Sequence, residues 1–249
     1  MCELNMAQSE GIPAGTPGFR SLTYRFGFIY NFVNNLLYDW ERRFATLAKF
    51  VGHTEVNEPP LRILDLACGT GYLARFLHPS VDYEGWDLNL SFLKQLEKDW
   101  KKGKIRVKKL TVKRKNILDF NSYPKKKKDV IVLSDILHHI YPRDVEVVEY
   151  AKNFANKIVI CEPSAIKPKD IEAHDWTAKA IMFLMKNFPE RLYKMVDFFL
   201  ADNDGINSYE KRSAWTYNEN GLKKFYSSLG IRKFYRLKDE CIGIWELEV

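Results

Sequence analysis

The clearest pattern in the chain is an alternation of short apolar runs with amphipathic stretches from Leu61 onward. Four apolar runs have the length of strands: residues 61–66, 81–86, 129–133 and 157–161. Residues 90–100 and 142–154 space their apolar side chains three and four positions apart, as helices do, and a basic, β-branched segment occupies 105–115. Strands that alternate with helices predict parallel βαβ units with right-handed crossovers.

The two ends of the chain depart from this alternation. Residues 21–51 have helical spacing, with Phe28, Phe32, Asn35, Leu36 and Trp40 near one face. The segment 178–200 contains two apolar helical patterns separated by Pro189. Asn218 is suited to cap a helix that ends at Gly230, and 231–237 and 241–247 resemble an antiparallel strand pair.

We therefore predict one α/β domain with a mostly parallel sheet and helices on both faces. Its parts are a flexible start (1–20), N-terminal helices (21–52), a ligand-binding core (53–162), a helical lid inserted before the last two strands (163–215), and a C-terminal helix with a strand pair (216–249).

Composition narrows the classes of protein and of partner. With 249 residues and 46% hydrophobic content, the chain is long enough for a large core. A net charge of +7 admits nucleic acid, an anionic lipid surface or an acidic substrate as partner, although a solvated lysine-rich surface is the simpler explanation. Abundant Lys and Glu with only two Gln give a weak indication of heat adaptation.

Cysteine spacing and hydropathy indicate where in the cell the protein is located. The four cysteines are scattered, so they predict neither a disulfide framework nor a zinc site. No apolar stretch approaches the roughly 20 residues of a membrane span, and the start lacks a signal-peptide core. We expect a cytoplasmic protein.

The turn after the first strand carries the chemistry. Asp65 ends an apolar run, and Gly69-Thr-Gly71 follows before a helix-like run at 72–77. Glycines let a backbone turn sharply and let a ligand approach the main chain. The glycines also satisfy the weak dinucleotide pattern, but a carboxylate at Asp65 is a poor neighbour for a pyrophosphate. It suits a ligand with an ammonium and a sulfonium, as in S-adenosylmethionine.

A second carboxylate, Asp87, ends the next strand candidate. A carboxylate there accepts hydrogen bonds from ribose hydroxyls, in either class of adenosine cofactor. The structural alternative is that Asp87 caps the helix that begins near Leu90.

These motifs, with Asn116-Ile117 and 129–135, resemble the class I S-adenosylmethionine-dependent methyltransferases from Leu61 onward. The resemblance implies a Rossmann-like, seven-stranded, mostly parallel sheet with one antiparallel strand near its C-terminal edge. It also implies that Gly69 and Gly71 flank the methionine part and that Asp87 holds the ribose. It places Asn116 beside adenine, where the family often has aspartate. The full set of predicted cofactor-binding residues is Asp65, Ala67, Gly69, Gly71, Asp87, Leu88, Asn116, Ile117 and Ser134.

Methyl transfer is an in-line displacement that needs positioning and, for a protonated acceptor, a base. His138, His139 and Glu162 follow the fourth and fifth predicted strands and are the candidate catalytic residues. In many similar small-molecule methyltransferases, the histidines of such a Leu-His-His stretch help to shape the pocket rather than transfer a proton. His174, Asp175 and Trp176 are further candidates for the acceptor pocket, and Tyr24, Phe28 and Tyr30 for its other side. Adjacent histidines point in different directions, so we predict no metal.

The leading hypothesis is methyl transfer to a small-molecule or lipid-like acceptor, because an apolar lid excludes water. The alternative is an RNA (tRNA or rRNA) methyltransferase that uses the basic segments 101–115 and 125–128. No appended RNA-binding module is evident, so a nucleic-acid partner is not favoured. A nucleotide-dependent oxidoreductase is weakened by Asp65, and a non-enzymatic protein by the intact glycines and Asp87.

Overall fold

Residues 20–52, 58–164, 176–186, 189–215 and 217–248 are described by the computed structural model of the chain. Their centre is one seven-stranded sheet of order β3-β2-β1-β4-β5-β7-β6. The strands are β1 (Arg62–Leu66), β2 (Asp82–Asp87), β3 (Lys109–Arg114), β4 (Lys128–Ser134), β5 (Ala155–Pro163), β6 (Lys233–Arg236) and β7 (Glu240–Glu246). β1 to β5 are parallel, and β7 runs antiparallel to both β5 and β6. The predicted fold is confirmed.

The helices are α1 (Leu22–Arg25), α2 (Gly27–Leu37), α3 (Trp40–Val51), α4 (Leu90–Lys101), α5 (Leu137–Ile140), α6 (Asp144–Ala151), α7 (Trp176–Lys186), α8 (Glu190–Phe199), α9 (Tyr209–Ala214) and α10 (Glu219–Ser228). As predicted, the Asn218 side chain caps α10 by accepting from the Gly221 N–H. No helix in the described ranges has the length and apolar content to cross a membrane.

Side chains that alternate along the strands build a core on each face of the sheet. Leu64 and Leu66 of β1 pack with residues of α6 and α10 on one face. Ile63 packs with residues of α3 and α4 on the other. Two layers of helices thus leave the carboxyl ends of β1, β2 and β4 as the open edge of the parallel strands, where α/β proteins bind ligands.

Two local predictions were wrong. The helix expected at 72–77 is only a 3₁₀ turn at Leu73–Arg75. Pro79 keeps the turn from continuing as a helix beyond residue 77, because a proline disfavours helical geometry in the residue before it. In α2, the predicted apolar face is not the buried one: Phe28 and Phe32 are 64% and 68% exposed, whereas Gly27 and Asn31 face the protein.

Candidate active site

A cavity of about 430 Å³ lies at the carboxyl ends of β1, β2 and β4. Its floor consists of the turns that follow these strands. Its roof, here called the cover, consists of residues 20–30 and residues 201–207, which follow α8. The site is therefore enclosed by segments from both halves of the chain.

The turn after β1 has a strained backbone that opens toward the cavity. Ala67, Gly69 and Gly71 all have left-handed φ values, of 61°, 55° and 69°. A Cβ added to Gly69 would meet no atom within 4 Å, whereas one added to Gly71 would overlap the Leu96 side chain of α4. Gly69 is thus part of the cavity wall, and Gly71 allows the turn to pack on the helix behind it.

Asp87 fixes this turn and faces the cavity. Its carboxylate accepts hydrogen bonds from the N–H groups of Gly69 (2.8 Å) and Asn89 (2.6 Å). Burial raises the pKa of Asp87, although these two N–H groups favour its charged form. The side chain that caps α4 is that of Asn89, so the helix-capping alternative for Asp87 does not hold.

Asp65 lies under the turn at the end of β1. It is 3% exposed and accepts a hydrogen bond of 2.6 Å from the Tyr83 hydroxyl. Burial raises its pKa to about 7, because a buried carboxylate loses its solvation. A cationic group in the cavity would favour the carboxylate form and would compensate for this loss.

The opposite wall of the cavity has polar groups that can form hydrogen bonds with a ligand. The Ser134 hydroxyl lies at the end of β4 and is buried without a hydrogen-bond partner among the described residues. Asn116 uses its side-chain oxygen for the N–H of Leu118 and leaves its amide N–H₂ group for a ligand. A buried hydroxyl without a partner is costly unless a ligand satisfies it.

These features together fit S-adenosylmethionine. A carboxylate suits an ammonium group, a second carboxylate on a different strand suits ribose hydroxyls, and an amide suits an adenine edge. Eight of the nine residues predicted to bind the cofactor line the cavity: Asp65, Ala67, Gly69, Asp87, Leu88, Asn116, Ile117 and Ser134. Gly71, the ninth, stands behind the turn.

His139 faces the cavity from α5, and the cover orients it. Its Nδ1 lies 2.8 Å from Oδ2 of Asp204, and its Nε2 lies 3.4 Å from the Tyr24 hydroxyl and 3.7 Å from Asp202. Burial alone lowers the pKa of His139, but Asp202 and Asp204 outweigh it and raise the pKa to about 9. The imidazolium in turn holds the pKa of Asp204 below its ordinary value despite burial.

His138 and Glu162, the other two candidate catalytic residues, lie outside the cavity wall. Glu162 is fully buried, and its Oε1 accepts the N–H groups of Ile136 and Leu137 at 2.8 Å. Its Oε2 lies 2.9 Å from His138 Nδ1. Glu162 thus holds the start of α5 on the end of β5, and α5 carries His139 toward the cavity.

A buried arginine connects the sheet edge to the site. Arg43 of α3 forms ion pairs with Asp135 (3.2 Å) after β4 and with Glu240 (2.8 Å) of β7. Burial raises the pKa of Asp135, but Arg43 and the two histidines outweigh burial and lower it. Asp135 lines the cavity, so it presents a carboxylate there.

Hydrogen bonds join the two segments of the cover. Ser21 donates from its N–H to the carbonyl of Asn203 (2.9 Å) and from its hydroxyl to the carbonyl of Ala201 (2.7 Å). The Thr23 hydroxyl donates to the same carbonyl. Asn89 holds the first segment on the floor through the Tyr24 carbonyl (2.6 Å).

Aromatic rings form one side of the cavity. The six rings are those of Tyr24, Tyr30, Trp40, Phe44, Tyr72 and Phe92. Neighbouring centroids lie 4.7 to 5.5 Å apart, as in Tyr30–Phe92 and Tyr24–Phe92. This spacing is typical of packed aromatic pairs, so the side is rigid and apolar.

Sequence reasoning missed part of the wall. It did not select Asp204, because nothing in the sequence shows that this residue meets His139, or Trp40, which resembles any core aromatic. Tyr24 and Tyr30 line the cavity as expected, but Phe28 does not. Trp176 does not line it either and is 79% exposed. His174 and Asp175 lie outside the described residues.

Among the residues that the structure describes, two groups of side chains lie close enough to hold a metal ion: Asp135, His138 and Glu162, and His138, His139 and Asp202. In the first, Glu162 already accepts three donors and the Arg43 cation lies beside Asp135. In the second, the charged His139 opposes a cation. The donor sets do not favour a metal, and the expectation of a metal-free site stays a prediction.

Part of the chain matches a known protein family. Residues 63–156 match the family model described as a methyltransferase domain. No curated protein matches the chain in sequence. The solved structures that resemble it share little sequence, so each shows the fold.

One such structure is magnesium protoporphyrin IX methyltransferase from Synechocystis with bound SAH, at 13% identity, a TM-score of 0.53 and 86% coverage of each chain. An O-methyltransferase family 2 protein from Planctomyces limnophilus, in complex with apigenin, is 15% identical with a TM-score of 0.52, over 83% of this chain and 56% of that one. An O-methyltransferase family protein from Burkholderia thailandensis is 17% identical with a TM-score of 0.51, over 88% of this chain and 59% of that one.

Proposed function

The chain is an enzyme with a class I, S-adenosylmethionine-dependent methyltransferase domain, and on that basis we propose that it methylates a hydroxyl group on a planar aromatic small molecule. The observation that carries this proposal is the dyad of His139 and Asp204 at the cavity wall, next to Tyr24 of the aromatic side. The dyad supplies a base, and the rings supply an apolar surface.

Residues in the floor of the cavity would bind the cofactor. Asp87 would accept hydrogen bonds from the ribose hydroxyls, and Asp65 would lie beside the ammonium group. The Asn116 amide would donate a hydrogen bond to the adenine edge. Bound S-adenosylmethionine supplies an electrophilic methyl group on a sulfonium. The cover limits the access of water to this region, and a drier environment strengthens charge interactions.

Residues in the walls of the cavity would position the methyl acceptor. The acceptor ring packs against Tyr30 and Phe92, and its hydroxyl donates to His139 Nε2. The imidazole takes the hydroxyl proton, and Asp204 stabilises the imidazolium that results. With a pKa of about 9, His139 is matched to a phenol, whose pKa is about 10, and not to an aliphatic alcohol.

The other two candidates act through His139. Glu162 holds the backbone of Ile136 and Leu137 and the ring of His138, so we assign both Glu162 and His138 positioning roles. Neither contacts the cavity. Their substitution would displace α5 and with it the base.

The RNA alternative has no specific observation in its favour. Lys113 and Lys128 both form ion pairs with Glu84, at 2.6 and 2.8 Å, so part of the basic surface is already neutralised. Salt-dependent binding of bulk tRNA would revive that alternative. A cytoplasmic location also stays a prediction.

Calorimetry followed by a methylation assay tests the proposal. The wild type should bind S-adenosylmethionine with micromolar affinity, not NADH, and should add one methyl group to a planar polyphenol such as apigenin. His139→Gln should keep the cofactor affinity and lower kcat/KM about 10²–10⁴-fold, as loss of a general base does. The matched control is His78→Gln, outside the cavity wall.

Two results would contradict the proposal at different levels. A folded protein that does not bind S-adenosylmethionine would overturn the cofactor assignment. Cofactor binding with phenol methylation that His139→Gln leaves unchanged would overturn the role of the dyad.

A further inference from the structure

The helices around the cover expose apolar side chains and bury polar ones. In α8, Asp197 is the one buried residue, and it accepts a hydrogen bond of 2.5 Å from Arg212. Leu192, Met195 and Phe199 recur at helical spacing and are 40%, 56% and 50% exposed. A helix with this inverted polarity has its apolar face toward the surroundings, not toward the core.

Two neighbouring helices repeat the arrangement. α2 exposes Phe28 and Phe32, and α7, which packs against α2, exposes Trp176. Ser21, just before α1, is hydrogen-bonded to Ala201, just after α8. The exposed apolar side chains of α2, α7 and α8, called the apolar face, therefore lie on connected elements. Soluble monomers rarely expose a large contiguous group of apolar side chains unless it contacts a partner.

Basic side chains accompany the apolar face. Arg25 at the end of α1, Lys179 in α7 and Arg191 in α8 are all exposed, and the chain has a net charge of +7. Large apolar residues flanked by Lys and Arg are the pattern of helices that lie in the interface of an anionic membrane. Each basic residue near such a surface contributes about 1 kcal/mol to binding.

We propose that the apolar face docks the enzyme on an anionic lipid bilayer, with α2, α7 and α8 lying in the headgroup region. A second copy of the chain is the other candidate occupant, and light scattering in the test below distinguishes it from the bilayer.

The docked orientation gives the cavity access to molecules dissolved in lipid. Ile206 lines the cavity and is 46% exposed, and the segment that carries it follows α8 directly. An apolar molecule in the bilayer would thus meet the cover without crossing water. The docking surface itself does not depend on the reaction at the cavity.

Vesicle sedimentation with the full chain tests the proposal. Wild-type protein should sediment with phosphatidylcholine vesicles that contain about one third phosphatidylglycerol and much less with phosphatidylcholine alone, because the basic residues need anionic headgroups. The double variants Phe28→Ser/Phe32→Ser and Leu192→Ser/Met195→Ser should each lower the partition coefficient at least tenfold. Arg191→Glu/Lys179→Glu should lower it for the anionic vesicles only.

Val145→Ser/Leu247→Ser is the matched control, since both residues are similarly exposed but lie in α6 and after β7. This control should bind vesicles as the wild type does, and circular dichroism should show each variant folded. Wild-type protein that stays in the supernatant overturns the proposal. So does a stable dimer by light scattering that dissociates in the serine variants and binds no lipid.

Discussion

Three glycines share a left-handed backbone but have different surroundings. Gly71 faces the Leu96 side chain, whereas the positions where Gly69 and Gly103 would carry a Cβ are open. An alanine at any of the three should cost about 1 kcal/mol in backbone strain. At Gly71 an overlap with Leu96 adds about 1–3 kcal/mol.

Chemical denaturation should therefore rank Gly71→Ala as the least stable of the three variants. Gly69→Ala and Gly103→Ala should lose similar stability, but only Gly69→Ala should weaken S-adenosylmethionine binding, since its methyl group stands in the cavity wall. Equal cofactor affinity in Gly69→Ala and Gly103→Ala would show that the turn does not contact the ligand.

The pH dependence of catalysis follows from His139. Its neutral form accepts the proton, so kcat/KM should rise with pH until about 9, where the imidazole is half deprotonated. Asp204→Asn removes a carboxylate that stabilises the imidazolium, so the rising limb should move to lower pH. A profile that Asp204→Asn leaves in place would exclude His139 as the group that titrates.

At the level of single elements, the cover depends on a few hydrogen bonds between distant segments. Ser21→Ala/Thr23→Ala removes the side-chain donors to the Ala201 carbonyl. Each lost bond to a buried group is worth about 1 kcal/mol, so the cover should open more often while the sheet is unaffected.

Stopped-flow measurement should show S-adenosylmethionine leaving this double variant about tenfold faster, with little change in Tm. Ser227→Ala, which removes an exposed hydrogen bond within α10, is the control. Release at the wild-type rate would mean that the cover does not limit cofactor escape.

Elements with strong local signals were predictable, and those shaped by tertiary contacts were not. The apolar runs at 61–66 and 157–161 became β1 and β5 because a central parallel strand is buried on both faces. The buried face of α2 was predicted wrongly, because residue spacing identifies an apolar stripe but does not show whether that stripe faces the core or the surface. The cofactor side of the site followed local motifs, whereas His139 and Asp204 are 65 residues apart and meet only in the fold.

At the scale of the whole molecule, several buried groups bind protons more tightly in the folded state, and three of them set the pH dependence of stability between about pH 5 and pH 9.5. Burial raises the pKa values of Asp65 and Glu240 to about 7, and the cover carboxylates raise that of His139 to about 9. A raised pKa contributes stability that is complete below the unfolded value and is lost as pH rises through the folded one.

The free energy of unfolding should therefore decrease from about pH 5 to pH 9.5, and the His139 contribution to that decrease is about 3 kcal/mol. Urea denaturation of His139→Gln should show a shallower slope between pH 6.5 and 9, and His78→Gln the wild-type slope. A wild-type stability that rises with pH across this interval would contradict the assignment.

The link from Arg43 to Glu240 has a consequence for how the protein is made on the ribosome. The turn after β1 is synthesised early, but Asp204 of the cover and Glu240 of β7 emerge late. A nascent chain that has all five parallel strands still lacks the second segment of the cover and the second partner of Arg43. Retention of the cofactor would thus mark a finished chain, and a product truncated before β7 would be released without it.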